Sequence, residues 1–589
     1  MAGETVTAKD APEMGRENAA GGEAPGGGDR AAARDRVPDR DSGARPGPMA
    51  RGGRQKGRVE RDAGEIQGIV FTGYGTLPVA RYALLEIADA AAFRGWLRAS
   101  LPRITPGGVR AERQACNIAF TSAGLRALGL RTIDNEPGPG GEPGAAGESG
   151  AGGEERAGGE ELAGFSREFR EGMTWEARRR ALGDQGRADP GNWLWGGPNN
   201  PALHALMFLF AADEGALAEL DDELFAAPGA AGLASVVRLE ASAAMMRSGK
   251  EHFGFDDGIA QPIIGGYKEP DPPRPANTLA PGELILGYEN QYGARPESPL
   301  VAAAGDPSGM LPEGPEDGPP GARDFGFYGS YLVFRQLRQD VAGFWRWAEQ
   351  VAAALRQPAP PDVDPRVWVA AKMLGRWPDG TPMTLSPDRP IPDLGLRRRD
   401  AFGYRERDAD GMRCPVGSHI RRANPRDALP GSLEEAMAVA SHHRILRRGR
   451  AYGEPIAEGV DPDRLMEDDG EARGLYFICL NADIARQFEL IQQTWLNNAK
   501  FDGLYADPDP VAAGHPRPPS GPVDEDARRR MQRNFTFPRR PVRERCTDMP
   551  LFVTPVGGAY FFLPGMRALK FLAAARPRHG SGNRSDLSR

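Results

Sequence analysis

The chain has 589 residues and a formal charge of −7, and its 77 Gly and 54 Pro make up more than one residue in five. That length accommodates several domains, while so much Gly and Pro implies long loops and tails rather than one uniform body. Mild acidity argues against nucleic acid as the main partner. No run approaches the ~18–20 apolar residues that span a bilayer, and Cys116, Cys414, Cys479 and Cys546 are too scattered for a disulfide framework or a Cys-based zinc site.

In chain order, residues 1–62 carry almost no aliphatic or aromatic side chains. Such a segment cannot offset its ordering entropy, so a disordered N-terminal arm is expected. It has no apolar signal-peptide core and no twin-arginine pattern, which gives a cytoplasmic expectation. Residues 63–325 form a first half, interrupted by a Gly/Glu-rich insertion at 136–160 and a Pro/Gly-rich loop at 305–323. Residues 326–576 form a second half, with a milder insertion at 507–524, and 577–589 a loose tail. The halves echo each other. YALLEI (82–87) and YLVFRQ (331–336) are strand-like runs, each leading into a helical pattern, with 14 residues from Tyr82 to Trp96 and from Tyr331 to Trp345. ALMFLFAA (205–212) and LYFICLNA (475–482) are buried-strand runs that end at Asp213 and Asp483, both suited to cap a helix. Strands alternating with helices, repeated once, predict two similar α+β halves.

Seven histidines are candidates for chemistry. His204 opens an apolar strand and reads as structural, and His252 has no evident role. His442 and His443 would point about 100° apart on a helix and do not share a metal. His515 and His579 lie in polar loop sequence. His419 stands out in RCPVGSHIRRANPR (413–426), where Pro and Gly fix a turn and Arg413, Arg421, Arg422 and Arg426 surround it. Those cations should depress its pKa and keep it neutral, the form a metal needs. No second His or Cys stands nearby to complete a zinc site. A lone imidazole suffices when a macrocycle brings the other donors, as in haem. In GFDDG (254–258) two glycines bracket two carboxylates, a loop that can approach a flat ligand and present an acid/base. In RILRRGRAYG (444–453), Ile445 and Leu446 interrupt the basic run, so Arg447 can point inward toward an anion.

With these residues in place the chain resembles the dye-decolorizing peroxidases. FGFDDGIAQP (253–262) carries their GxxDG motif, CPVGSHIRRANPR (414–426) is similar to their proximal-histidine segment and ILRRGRAYG (445–453) to their distal-arginine segment. NIAFTSAGLRALGL (117–130), GELILGYENQYG (282–293), GSYLVFRQL (329–337) and LNADIARQF (480–488) match further, in the family's order, so the resemblance covers roughly 63–575 outside the insertions. It implies an α+β fold of two ferredoxin-like halves, antiparallel sheets with helices, arranged like a dimeric α+β barrel and enclosing one haem b per chain. It implies His419 as axial iron ligand, with Asp257 as distal acid/base and Arg447 as distal arginine. Arg376, Asn424, Pro425 and Arg426 would hold the haem and its propionates, with the backbone of Gly258, Ile259 and Ala260 lying against the macrocycle.

The implied reaction is peroxide-driven one-electron oxidation of organic donors such as dyes and phenolics, with an acidic optimum because an aspartate is the proton shuttle. Nucleic acid and membrane are not expected partners, and a homo-oligomer is compatible with the sequence. His419 should donate its second ring N–H to a carboxylate, with Asp502 the first candidate and Asp483 the second. Gly449 departs from relatives that have Asn two positions after the distal arginine, removing one donor. The alternatives are a haem-handling protein without peroxidase turnover, which would not need Asp257, and an interaction module that has lost its cofactor.

Overall fold

The computed structural model describes residues 57–133, 162–226, 232–268, 274–356, 358–514 and 532–574, all within one compact unit. The 136–160 insertion, the 577–589 tail and most of the N-terminal arm lie outside the described residues. One boundary is corrected. Residues Arg58–Asp62 form a short helix, α1, in which Val59 is fully buried and Asp62 accepts a 2.8 Å hydrogen bond from the Tyr288 hydroxyl. A single aliphatic residue anchors what composition alone assigned to the arm.

Among the described residues nine strands make the main sheet: β1 Val79–Ile87, β2 Gln114–Phe120, β3 Ala205–Ala211, β4 Leu233–Ala241, β5 Ser330–Gln339, β6 Leu446–Arg447, β7 Arg450–Tyr452, β8 Gly474–Asn481 and β9 Val553–Leu563. Their order is β6-β8-β5-β9-β2-β3-β1-β4, with β7 also beside β8, and the pairings are antiparallel. The first half thus reads second, third, first, fourth strand, and the second half has the same sequence of partners. This is the ferredoxin-like arrangement twice over, and β9 and β2 join the halves through Phe562 and Phe120.

The strand-to-helix junctions explain why the repeat is legible. Asp89 accepts from Ala92 N at 2.7 Å at the start of α2 (Ala90–Ser100), and Asp213 from Ala216 N at 2.8 Å before α3 (Glu214–Phe225). Asp340 accepts from Gly343 N at 2.8 Å before α4 (Val341–Ala354). Each such cap is worth about 1 kcal/mol. Asp483 does the same for Arg486 N at 2.9 Å, but the turns that follow, Ala485–Glu489 and Ile491–Leu496, are π-helical.

Alternation along the strands divides the core in two. One face of the sheet packs Phe93, Trp96, Phe120, Val333 and Phe562 beneath α2, α3 and α8 (Met566–Ala574). The other face is rolled inward, so that Tyr82 on β1 meets Phe334 on β5 and Tyr476 on β8 edge-on, with centroids 5.5 and 5.3 Å apart. Among the described residues the sheet does not close into a barrel. Next to β4, Ser242 N donates to Ala451 O on β7 at 2.8 Å, so the two edges approach without forming a ladder. Two satellite clusters lie beyond the sheet. One gathers Phe344, Trp345 and Trp377, from α4 and from the segment after α5 (Pro365–Leu374), against Phe253 and Phe255. The other gathers Val416, Ile491, Trp495, Leu496, Phe501 and Leu504. These clusters fix the two segments that carry the site.

Candidate active site

The GFDDG loop is anchored by its aromatic residues. Phe253 and Phe255 are buried, each contributing about 1.5–3 kcal/mol, and their neighbours Asp256 and Asp257 face outward. Gly254 has φ +95° and Gly258 φ +77°, left-handed values that glycine alone adopts without strain. A Cβ at Gly254 would also meet Val460 Cγ2 at 2.7 Å, whereas one at Gly258 would meet nothing within 4 Å, so that turn faces open space. The two carboxylates differ in kind. Asp256 is tied to Lys250 Nζ at 2.6 Å and Arg399 Nη1 at 2.8 Å. Asp257 receives Arg447 Nη1 at 2.8 Å and Gly258 N at 2.6 Å, both on Oδ1, with 46% of its side chain exposed. Burial opposes its ionisation, but Arg447, the Gly258 N–H and the nearby His419 outweigh it and hold Asp257 below the usual carboxylate range.

Beneath this loop lies a third carboxylate. Glu251 accepts Phe253 N at 2.9 Å and Phe255 N at 3.0 Å, and Gln339 Nε2 from β5 at 2.8 Å. It satisfies main-chain donors that the tight turn leaves without partners, and burial pushes its pKa up to about 7.

His419 opens α6 (His419–Ala423), whose segment packs through Val416 on the Trp495 cluster. Its Nδ1 lies 3.0 Å from Oδ2 and 3.2 Å from Oδ1 of Asp509, a fully buried carboxylate. Asp509 Oδ1 also accepts Val511 N at 2.9 Å and Ala512 N at 2.7 Å, so its orientation is set by the turn it sits in. The carboxylate that pairs with His419 is therefore neither Asp502 nor Asp483. Asp502 is exposed in a left-handed conformation at φ +46°, and Asp483 is occupied as a cap and in an ion pair with Arg486. The direction of the His419 shift is corrected too. Burial lowers it, but the Asp509 carboxylate more than offsets this and the pKa is raised. The arginines that the sequence places around it turn away. Arg421 donates to Asp408 O and Cys414 O, Arg422 to Trp495 O and Asn498 O, Arg413 to Thr384 O, and Arg426 pairs with Asp400 at 2.5 Å.

A cavity of about 480 Å³ is lined by Asn424, Arg426, Arg444, Phe402 and Asp400, among others. Arg426, with φ +52°, stacks 4.1 Å over Phe402. Arg376 donates to Gly380 O at 2.9 Å and Arg399 O at 2.7 Å and also lies over Phe402, 5.4 Å from the ring centroid. Burial and the charge of Arg426 push Arg376 and Arg444 down to about 10. Three guanidinium groups against the Asp400 carboxylate make an anion-seeking corner. Arg444, which donates to Ala260 O at 3.2 Å, was not singled out from the basic run; its place after the end of α7 (Leu433–His442) was the available signal. Pro425 lies in the turn between Asn424 and Arg426, and Ile259 is buried beside Gly380.

The remaining arginines of that run are structural. Arg448 donates to Ile69 O and Val70 O, and Arg450 to Leu77 O and Tyr74 O. Gly449 between them is confined. A Cβ there would run into Tyr476 O and lie 3.1 Å from Ile478 N and 3.3 Å from Phe477 Cα. His204 accepts Ile87 N and His252 bonds Tyr452 O, His442 stacks on Tyr292, and His443 bonds Arg486 O. His515 and His579 lie outside the described residues.

These residues fit a porphyrin. Among the described residues no group of three His, Cys, Asp or Glu could hold a metal unaided. With Nδ1 given to Asp509, His419 offers one nitrogen, Nε2, so an iron there needs its other donors from a macrocycle. The turn at Gly258 leaves room for a flat group, and the arginine corner suits propionates.

No family model matches the chain. Among curated proteins it is 29% identical over 535 residues to a peroxidase of Mycetinis scorodonius, covering 86% of each chain. It is 30% identical over 352 residues to a dye-decolorizing peroxidase of Mycena epipterygia, covering 56% of this chain and 58% of the relative. With a dye-decolorizing peroxidase of Auricularia auricula-judae it is 29% identical over 339 residues, and there the match spans only about half of each chain, 55% of this one and 56% of the relative. Among solved structures, a dye-decolorizing peroxidase in complex with cyanide shares the fold with a TM-score of 0.64 at 24% identity, over 87% of this chain and 99% of that one. A fungal enzyme from Auricularia auricula-judae gives 0.63 at 23%, over 87% and 99%.

Proposed function

The chain belongs to the dye-decolorizing peroxidase family, and on that premise we propose that it is a haem peroxidase, holding one haem b and using hydrogen peroxide to oxidise phenolic and dye-like donors. The observation that carries this reading is the pairing of an acid held ionised, Asp257 on Arg447, with an imidazole fixed by a buried carboxylate, His419 on Asp509. A relative has been solved with 2,6-dimethoxyphenol, a phenolic donor.

His419 Nε2 would hold the iron, and Arg376, Arg426, Arg444 and Asn424 would face the propionates. Bound there, haem would supply a redox-active iron that peroxide can oxidise and organic donors can reduce. The chain's own work is proton handling and charge placement. Both hydrogen bonds to Asp257 fall on Oδ1, so Oδ2 is the atom free to accept a proton from peroxide and return it. Arg447 steadies Asp257 and stands ready to stabilise negative charge on a departing oxygen, a role worth about 3 kcal/mol. Asp509 holds the His419 ring in the tautomer with its proton on Nδ1 and strengthens Nε2 as a donor.

A haem-handling protein would need His419 but not an ionised acid opposite it. The test is an absorbance spectrum of the haem-loaded protein before and after peroxide, with a dye or phenol turned over. The Asp257→Asn variant is expected to keep its Soret band and lose turnover. Unchanged turnover in that variant returns the haem-handling reading.

A further inference from the structure

A second cavity, of about 410 Å³, lies on the proximal side, lined by Gly503, Leu504, Tyr505, Asp507, Thr536, Arg543 and Arg545. Its composition is unusual for a surface hollow. Asp507 is 1% exposed; Thr536 Oγ1 donates to its Oδ2 at 2.9 Å, and among the described residues its buried Oδ1 has no hydrogen-bond partner. A buried acceptor without a donor is costly and invites one from a ligand. The cations are placed by the fold. Strand Glu544–Cys546 pairs antiparallel with Phe535–Phe537, which sets Arg545 across from Thr536, and Arg543 enters from the turn before it. Both arginine side chains are exposed, as is Tyr505 at 64%. Lys500 Nζ lies 5.4 Å from the Tyr505 ring, adding a third cation at the rim.

The cavity thus combines a buried acceptor with two guanidinium groups, Arg545 lying near enough to Asp507 to act on its charge, and an aromatic ring stands beside them. We propose that this cavity is a docking site for phenols bearing an anionic substituent, the hydroxyl donating to Asp507 Oδ1 and a sulfonate or carboxylate resting on Arg543 and Arg545. Bidentate recognition of such anions is what guanidinium groups do best. The site sits close to the proposed iron ligand. Leu504, in its wall, packs against Val416, and its Cδ1 lies 3.4 Å from where a Cβ on Gly417 would be, two residues before His419. Asp507 O accepts from Arg422, whose segment also carries His419.

The inference rests on the peroxidase reading for its donor role. A docked phenol loses one electron to the cofactor oxidised by peroxide and its hydroxyl proton to Asp507 Oδ1, becoming a phenoxyl radical; the proton then passes to solvent. Burial raises the Asp507 pKa, which suits it to accept that proton.

The experiment uses the haem-loaded enzyme and two donors, 4-hydroxybenzenesulfonate and the neutral 2,6-dimethoxyphenol. Replacing the exposed pair, Arg543→Ala with Arg545→Ala, should raise KM for the sulfonate roughly tenfold and leave both constants for the neutral donor unchanged. Calorimetric titration with 4-hydroxybenzenesulfonate without peroxide should show one site per chain, weakened to the same degree in the variant. Asp507→Asn should lower kcat for the sulfonate while the rate of reaction with peroxide holds. An unchanged sulfonate KM in the arginine variant, or an equal rise for both donors, overturns the site. Sulfonate binding at one site with turnover of neither donor overturns the donor role. If the neutral donor alone is turned over and no sulfonate binds, the docking site fails while the peroxidase reading stands.

Discussion

The two sides of the site are built on opposite principles. His419 is held by a carboxylate with no exposed surface, itself fixed by two main-chain N–H groups, in a cluster of six buried apolar residues. Asp257 sits on a glycine-bracketed loop with both hydrogen bonds on one oxygen. The contrast suits the proposed roles: a metal ligand must not move, whereas a proton shuttle must have a free atom and room to turn. The sequence buys rigidity with buried apolar and aromatic residues on one side and freedom with glycine on the other.

Changes on each side should therefore differ in kind and in size. The largest effect is expected from His419→Ala, which removes the sole imidazole of the site; the Soret spectrum of the haem-reconstituted protein should change and peroxide-driven dye oxidation should vanish. Asp257→Asn should retain the spectrum and lower kcat/KM by about 10²–10⁴, read by steady-state kinetics with a dye. Arg447→Ala should cost roughly 10²–10³ and also move the pH profile. Asp257 is now ionised below the usual carboxylate range, so activity should persist in acid and fail only beneath about pH 4. Without the guanidinium, only the Gly258 N–H and His419 are left to oppose burial, the Asp257 pKa rises, and the acid limb shifts to higher pH. An acid limb that stays put would break the coupling argued for the distal side.

Asp509→Asn should be gentler, about 10–100-fold in metal retention or activity, measured by haem-loss kinetics. The smallest effect concerns Glu251. Its carboxyl is raised from about 4.5 to about 7, so between those values the folded state keeps a proton that the unfolded chain releases. Stability from this group falls as pH rises across that window, and Glu251→Gln should flatten the slope between thermal melts at pH 5 and 7.5.

Local signals told much of this. Strand runs ending in Asp announced the repeat because a cap and the strand before it are adjacent in sequence, as at Ala205–Ala211 and Asp213. Asp257 was separable from Asp256 only through the family resemblance, since it takes Lys250 and Arg399 folding onto Asp256 to show which carboxylate is occupied. Asp509 was hidden for a different reason. It lies 90 residues from His419 in ADPDPV, a composition that reads as an insertion, and nothing local says that its side chain will be fully buried. The expected depression of the His419 pKa failed likewise, because clustering in sequence does not say where guanidinium groups point.

Gly449 carries a consequence for anyone wishing to redesign the distal side. Its backbone is wedged against β8 so tightly that there is no volume for even a methyl group. Restoring the asparagine of some relatives by point substitution would pry apart the strand pairing that positions Arg447, before any amide reached the peroxide. The amide is closed to this chain one residue at a time, and a second donor would have to be introduced from another wall.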